Sequence, residues 1–323
     1  MSDPVATRPA TTGAGRRTPR RFAARLRRAV PIHWALLAPA LAVIGVLLLY
    51  PLFRVLVLSF QDYGLRNVIS GESDYNGLDN YVQLLTDPYL WRVVLPNTAV
   101  FAVVAVGGTV AFGTLVALLL RILGRVARTI VISCIMVAWA MPAVSGTYVW
   151  IWIFDVDHGL VRQVLQAVGL LGPEGFNWFT ERLSFYAIVT LNVIHHGFPF
   201  VTVTVLAGLL TIPREYYEAA LLDGATAWQR FWHVTVPTIR PVFAVVTILS
   251  TIWDFKVFAQ VYLMPGGSGT NPEVLNFGTW SYIRAFARQD YGAGSAIAVL
   301  LTLMLLGIII IYLRSLFRDE ELQ

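Results

Sequence analysis

The sequence is poor in charge, in cysteine and above all in lysine, and each shortage excludes a class of protein. Only 13% of its 323 residues are charged, about half of the roughly 25% found in soluble domains, so an ordinary soluble fold is disfavoured. Cys134 is the single cysteine, which excludes an internal disulfide and a cysteine-rich metal site. Lys256 is the single lysine and lacks a Gly-x-x-x-x-Gly-Lys context, which excludes a phosphate-binding loop of that type.

Apolar residues are abundant instead, at 57% of the chain, and they occur in long blocks separated by short polar stretches. About 20 apolar residues at 1.5 Å per residue cross the hydrocarbon core of a bilayer as a helix. The sequence therefore predicts an all-α membrane protein with six transmembrane helices. The predicted spans cover about residues 34–60, 97–120, 129–154, 185–210, 241–263 and 293–313.

The arginines predict how these spans are oriented. Residues 1–30 are polar and rich in arginine, which is typical of a disordered tail. The apolar run after them is too long for a signal peptide, so we interpret it as an uncleaved first span that opens a membrane domain over residues 31–323. With the tail inside, 16 of the 23 arginines fall on the inner side and six on the outer side. This bias places both termini in the cytoplasm and explains the basic charge without a nucleic-acid partner.

The longest cytoplasmic connection, residues 211–240, is called the coupling segment below. Pro213 is suited to a helix start, good helix formers follow, and Gly224 interrupts them. A second helical pattern runs to about His233, and Pro237 and Pro241 close the segment. The pattern predicts a helix, a glycine turn and a second helix. Because two short helices on so short a tether cannot bury an apolar face, we expect them to dock onto another protein.

A spaced motif in this segment resembles the signature of one transporter family. Glu218-Ala219-Ala220 is followed after three residues by Gly224, and nine residues later by Val234-Thr235-Val236-Pro237. This spacing is similar to the "EAA" signature of binding-protein-dependent, maltose-type ABC importer permeases, with valine at the two positions where isoleucine and leucine are usual. The resemblance covers about residues 33–318. Stretches at residues 77–81, 261–267 and 290–296 resemble the carbohydrate branch, and especially actinobacterial di- and oligosaccharide permeases.

The resemblance implies the type I ABC importer permease fold and a role for each matched residue. In that family the segment is the coupling helix, which sits in a groove of the ATPase subunit. Glu218 would pair with a basic residue of the ATPase, Ala219 and Ala220 would allow close approach, and Gly224 would permit the bend. Asp223 would cap the second helix or make a contact like that of Glu218. Pro237 would set the angle at which the chain re-enters the membrane.

The same resemblance implies an assembly in the bacterial inner membrane. The expected partners are a second homologous permease, two ATPase subunits, an extracytoplasmic solute-binding lipoprotein, the sugar substrate and the lipid bilayer. No cofactor is expected on this chain, because ATP and Mg²⁺ would bind the ATPase subunits. No catalytic role is expected either, so this chain would be a permease and not an enzyme.

Polar residues inside spans are costly and usually face the helix bundle or a cavity, which makes them candidates for the substrate pathway. Asp254 and Lys256 are two residues apart, so they do not face each other on a helix. By resemblance to maltose-type permeases, Asp254 falls near a position that contacts sugar, and Trp253 is suited to stack on a sugar face. The candidates in the fourth and fifth spans are Asn192, His195, His196, Ser250, Trp253, Asp254 and Lys256.

Three alternatives remain open. The same machinery would serve glycerol-phosphate or another small polar solute, although a phosphate favours arginines that the fourth and fifth predicted spans lack. An ion-driven secondary transporter would usually show internal repeats and broken spans, but the sequence has no convincing internal repeat. Such a transporter would also leave the coupling segment without a purpose. A membrane enzyme would need clustered catalytic residues, and no His-Glu-x-x-His or Gly-x-Ser-x-Gly pattern occurs in the sequence.

Overall fold

The computed structural model describes residues 36–320, with side chains described as far as Arg314. The predicted arginine-rich tail, residues 1–30, lies outside the described residues. Helices account for most of the described part, in agreement with the all-α prediction. In chain order the helices are α1 (Leu36–Leu58), α2 (Leu65–Ser70), α3 (Asp79–Thr86), α4 (Leu90–Ile122), α5 (Arg125–Trp139), α6 (Ala143–Ile153), α7 (Leu160–Ala167), α8 (Arg182–Thr211), α9 (Arg214–Leu222), α10 (Ala227–Arg230, continued by a wide turn Phe231–Thr235 and by Val236–Thr238), α11 (Arg240–Phe255), α12 (Ala259–Leu263), α13 (Phe277–Tyr282) and α14 (Tyr291–Glu320).

Five stretches of the described chain are long and apolar enough to cross a membrane. They are α1, α4, α8, α11 with α12, and α14. The third predicted span, residues 129–154, is not one helix. It is built by α5 and α6, which are bent by 93° at a short break. The six predicted spans therefore correspond to five stretches and this bent pair.

Proline explains the bend, and a similar interruption divides the fifth span. Pro142 lies immediately before α6, and because proline lacks an N–H and disfavours a helical residue before it, α5 ends at Trp139. In the fifth span the helix stops at Phe255, and Lys256 is the residue that ends it. The predicted spans over residues 129–154 and 241–263 are therefore each built from two helices.

Close approach of α4 and α8 builds the centre of the bundle. A Cβ atom added at Gly113 of α4 would lie 2.7 Å from the Val201 side chain, and one added at Gly197 of α8 would lie 2.9 Å from Thr109. The Thr202 hydroxyl of α8 donates to the Gly113 carbonyl at 3.1 Å. Small residues let the helix backbones approach within range of such bonds, which is a common basis of helix packing in membranes.

We expect Gly113→Ala to destabilise the protein by about 1–3 kcal/mol, the usual cost of overpacking a well-packed interior. The matched control is Gly107→Ala on the same helix, where an added Cβ meets nothing within 4 Å and alanine favours the helix. Thermal unfolding of the purified variants in one detergent measures both effects. Equal melting temperatures for the two variants would contradict the close packing of α4 and α8.

Buried asparagines tie the outer ends of the helices together. The Asn97 amide of α4 donates to the carbonyls of Glu273 and Leu275, each at 2.9 Å. The Asn276 amide donates to the Val257 carbonyl at 2.8 Å. A short antiparallel ribbon, β1 (Gln61–Asp62) with β2 (Asp74–Tyr75), lies on the same side. These bonds satisfy carbonyls at the helix breaks, which is how irregular backbone is tolerated at a membrane protein's interior.

Candidate coupling surface and substrate pathway

The coupling segment folds as two short helices around a glycine turn, which confirms the sequence prediction. Gly224 has a φ of +76°, in the left-handed region that costs other residues about 1–2 kcal/mol. The Ala225 N–H donates to the Ala220 carbonyl at 2.9 Å and closes the end of α9. A Cβ at Gly224 would meet nothing within 4 Å. The backbone angle, and not crowding within this chain, therefore favours glycine here.

Thr226, and not Asp223, caps the second helix. The Thr226 hydroxyl accepts from the Gln229 N–H at 3.3 Å, and the Gln229 side chain accepts from the Thr226 N–H at 2.8 Å. This reciprocal pair is a capping box. Asp223 ends α9 instead, so the expectation that it caps α10 is wrong. Its alternative role, a contact with the ATPase, stays a prediction.

The chain returns toward the membrane between two prolines. α10 widens into a π turn over Phe231–Thr235 and ends just after Pro237. A wide turn accommodates a proline because the missing N–H leaves one helical bond unmade. Ile239, with a φ of −105°, then interrupts the helix, and α11 begins at Arg240. The break thus follows Pro237, whose effect on the re-entry angle stays a prediction.

The motif residues lie on an exposed surface of the coupling segment. Glu218 and Ala219 are exposed, whereas Ala220 is half-buried. On the same helix Leu222 is 90% exposed and Leu221 is 53% exposed. Contiguous exposed apolar side chains usually mark an interaction site. The surface is therefore accessible to a docking partner, and its contact with an ATPase stays a prediction.

Tyr217 connects this surface to the transmembrane helices, a link that the sequence analysis missed. Its hydroxyl and the Thr235 hydroxyl of α10 share a hydrogen bond at 2.8 Å. The Arg121 guanidinium of α4 lies over the Tyr217 ring, 4.3 Å from its centre, in a cation–π geometry. The sequence counted Arg121 only as a topology signal. The contact provides a mechanical connection from α9 to α4.

The pathway candidates divide into buried and exposed groups. Asn192, Ser250 and Asp254 are buried, with relative exposures of 4%, 3% and 7%. His196 is half-buried, whereas His195, Trp253 and Lys256 are exposed. None of the seven lines the three cavities described for residues 36–320. Their assignment to the pathway stays a prediction.

Asp254 is the most unusual of these residues, because it is a buried carboxylate without a described partner. Its Oδ2 atom has no hydrogen bond to any residue of the described part, and the Nδ2 atom of Asn192 is also unpaired there. No salt bridge joins Asp254 to Lys256 in the described part, which agrees with the expectation that they do not face each other. Unpaired buried polar groups in a membrane are costly and usually functional.

Aromatic rings surround the exposed candidates. The Trp253 ring meets Phe200 of α8 edge to face, with 5.0 Å between ring centres. The His195 ring lies 6.0 Å from that of Trp150 in α6. Exposed tryptophan and histidine rings can stack on or bond to sugar rings, so this part of α6, α8 and α11 is chemically suited to a carbohydrate.

A polar cavity of about 640 Å³ opens on the outer side, at residues that no sequence pattern indicates. Its acidic lining residues are Asp155, Glu181 and Glu273. The N–H groups of Asp157 and His158 donate to Asp155 at 3.0 and 2.7 Å, and these bonds lower the pKa of Asp155 below its usual range. The carboxylates come from three separate connections, which is why no local pattern revealed them.

Comparison with known proteins gives a family match and many curated relatives. The family model described as "binding-protein-dependent transport system inner membrane component" matches residues 108–318. The diacetylchitobiose uptake system permease protein DasB of Streptomyces coelicolor is 39% identical over 321 residues, which cover 99% of this chain and 96% of that protein. The trehalose/maltose transport system permease protein MalF of Thermococcus litoralis is 31% identical, over 89% of this chain and 94% of that protein.

A solved structure has the same fold. It is a bacterial ABC transporter involved in the import of the acidic polysaccharide alginate. The likeness has a TM-score of 0.76 at 20% identity and covers 92% of this chain and 99% of that chain. At this identity the likeness establishes the architecture, which agrees with the fold predicted from the coupling motif.

Proposed function

This chain belongs to the family of binding-protein-dependent transport system inner membrane components, and we propose that it is the permease subunit of an ATP-driven importer of a di- or oligosaccharide. The observation that carries the proposal is the exposed coupling surface, with its Gly224 turn and uncovered Leu222. That surface lies on the side that the arginine bias places in the cytoplasm. An importer of this family needs such a surface to receive motion from an ATPase.

The partners follow from the same membership. ATP and Mg²⁺ would bind two separate ATPase subunits, since the only lysine, Lys256, has no phosphate-loop context. A second permease would complete the pathway, and an extracytoplasmic binding protein would deliver the sugar. The chain works in the bacterial inner membrane as a multi-pass subunit.

Reversal of charge at Glu218 tests the coupling role. We expect Glu218→Arg to reduce ATP-driven uptake at least about tenfold. The new arginine would repel the basic ATPase residue with which Glu218 is proposed to form an ion pair. Glu215→Arg is the matched control, because Glu215 is exposed on the same helix outside the motif. Co-purification with the ATPase and uptake in proteoliposomes measure both steps. If Glu218→Arg assembles and transports like Glu215→Arg, the proposed contact is wrong.

A carbohydrate substrate is supported by what the relatives are named for, diacetylchitobiose and trehalose or maltose. The rings of Trp253 and His195 and the amide of Asn192 are suitable contacts for sugar faces and hydroxyls. Uptake of a panel of labelled disaccharides and oligosaccharides, with glycerol-phosphate as the alternative solute, identifies the class. Uptake of glycerol-phosphate alone would contradict the sugar assignment and leave the permease role intact.

A further inference from the structure

A long apolar groove runs along the cytoplasmic half of α4, between α10 and α11. Its volume is about 1150 Å³. On α4 its lining extends from Val106 to Ile122, which is about 24 Å at 1.5 Å per residue. One leaflet of a bilayer has a hydrocarbon depth of about 15 Å. The groove is therefore long enough for an acyl chain and part of a headgroup.

Two arginines stand at the cytoplasmic end of this groove. Arg121 and Arg230 both line it. The Nε atom of Arg230 is buried and has no hydrogen-bond acceptor among residues 36–320. The Arg121 guanidinium lies over the ring of Tyr217, and no described residue accepts a hydrogen bond from its side chain. A buried N–H without a partner costs free energy, so an external acceptor would be favoured at this point.

We propose that this groove binds an anionic phospholipid of the cytoplasmic leaflet. The phosphate would accept hydrogen bonds from Arg230 and Arg121, and an acyl chain would lie along α4 toward Val106. Arginine pairs well with phosphate because its N–H groups form a fixed fork. Trp228 and Trp232, which also line the groove, suit the level of the lipid headgroups. Basic pockets between helices on the cytoplasmic side are typical of anionic lipid sites.

Charge complementarity favours a lipid over an apolar helix of the second permease. Such a helix would cover the apolar lining of the groove but would leave the Arg230 Nε atom without a hydrogen-bond acceptor. A phospholipid satisfies both parts of the groove at once. The location also gives the lipid a function, because it would touch α4 and the second helix of the coupling segment together. Occupancy would stiffen the same connection that Tyr217 and Arg121 make.

Native mass spectrometry of the purified importer complex tests the site. The complex is reconstituted with equal phosphatidylcholine and phosphatidylglycerol, and the phospholipid that co-purifies is counted. We expect Arg230→Gln and Arg121→Gln to lower retained phosphatidylglycerol about tenfold, as for loss of a charge-assisted hydrogen bond. Arg125→Gln is the control, because Arg125 is exposed and does not line the groove. It should retain the lipid like the wild type.

A second variant tests the apolar wall without a change of charge. At Gly107, which lines the groove, an added Cβ meets nothing within 4 Å. Gly107→Leu should therefore extend into the groove and displace the acyl chain, with a similar loss of bound lipid, and its melting temperature in detergent checks that the variant is folded. Equal retention in all variants would overturn the proposal. It would also be overturned if Ala111→Cys, in a Cys134→Ser background and labelled with a thiol-specific photo-crosslinker, became joined to the second permease, since a protein would then fill the groove.

Discussion

Gly224→Val should uncouple ATP hydrolysis from sugar uptake while leaving the membrane domain folded. The φ of Gly224 is +76°, where an L-residue costs about 1–2 kcal/mol and a β-branched one costs most. Because an added Cβ meets nothing within 4 Å, the effect would be conformational. The turn would open and move the exposed face of α9 away from the ATPase. We expect ATP-driven uptake in proteoliposomes to fall at least about tenfold, with melting temperature nearly unchanged.

Asparagine at the same position is the matched control. Asparagine tolerates the left-handed region better than other residues with a Cβ, so Gly224→Asn should keep most of the uptake. Gly172→Val is a second control. Gly172 also has free space around an added Cβ but no positive φ, so this variant measures the effect of valine without the backbone strain. If Gly224→Asn loses as much uptake as Gly224→Val, close contact with the ATPase requires the glycine, and the proposed backbone requirement is wrong.

Asp254→Leu should stabilise the protein and abolish most of its transport. Asp254 is 7% exposed and its Oδ2 atom has no described partner. A buried polar group without a hydrogen bond costs about 1–3 kcal/mol, which leucine would recover. Without the Asp254 carboxylate a buried sugar hydroxyl would be left without an acceptor, which costs about 1–3 kcal/mol, or about ten- to a hundredfold in affinity. We therefore expect a higher melting temperature together with at least about a tenfold loss of sugar uptake.

Thr251→Val on the same helix is the control for this variant. The Thr251 hydroxyl donates to the Thr247 carbonyl of its own helix at 2.7 Å, so its loss should change neither uptake nor stability strongly. A lower melting temperature for Asp254→Leu, with uptake lost in proportion, would assign Asp254 a structural role. Normal uptake by Asp254→Leu would remove it from the substrate pathway.

Local patterns were enough for the spans and the coupling turn. Hydrophobic length depends only on the run of apolar residues, and the left-handed turn depends on a single glycine at the end of a helix. The cap of the second helix is local as well. Asp223 and Thr226 both suit a cap, and the capping box of Thr226 with Gln229 decides in favour of Thr226.

The candidate pathway residues could be identified from the sequence, but their burial and their positions relative to one another could not. Asp254 and Lys256 were expected to point in different directions, and one is buried whereas the other is exposed. The interruption of the helix at Lys256 depends on the Asn276 amide, which satisfies the carbonyl of Val257 from 19 residues away. No local sequence pattern predicts a hydrogen bond between residues so far apart in the chain.

The sequence by itself determined the class of protein, its orientation and the surface proposed to receive the ATPase, because spans, arginine bias and the spaced motif are all local in the chain. Only the tertiary structure decided that Asp254 is buried with no partner for its Oδ2 atom among the described residues, and that Arg121 meets Tyr217. These features depend on contacts between residues far apart in the chain, which packing fixes and which no periodicity encodes.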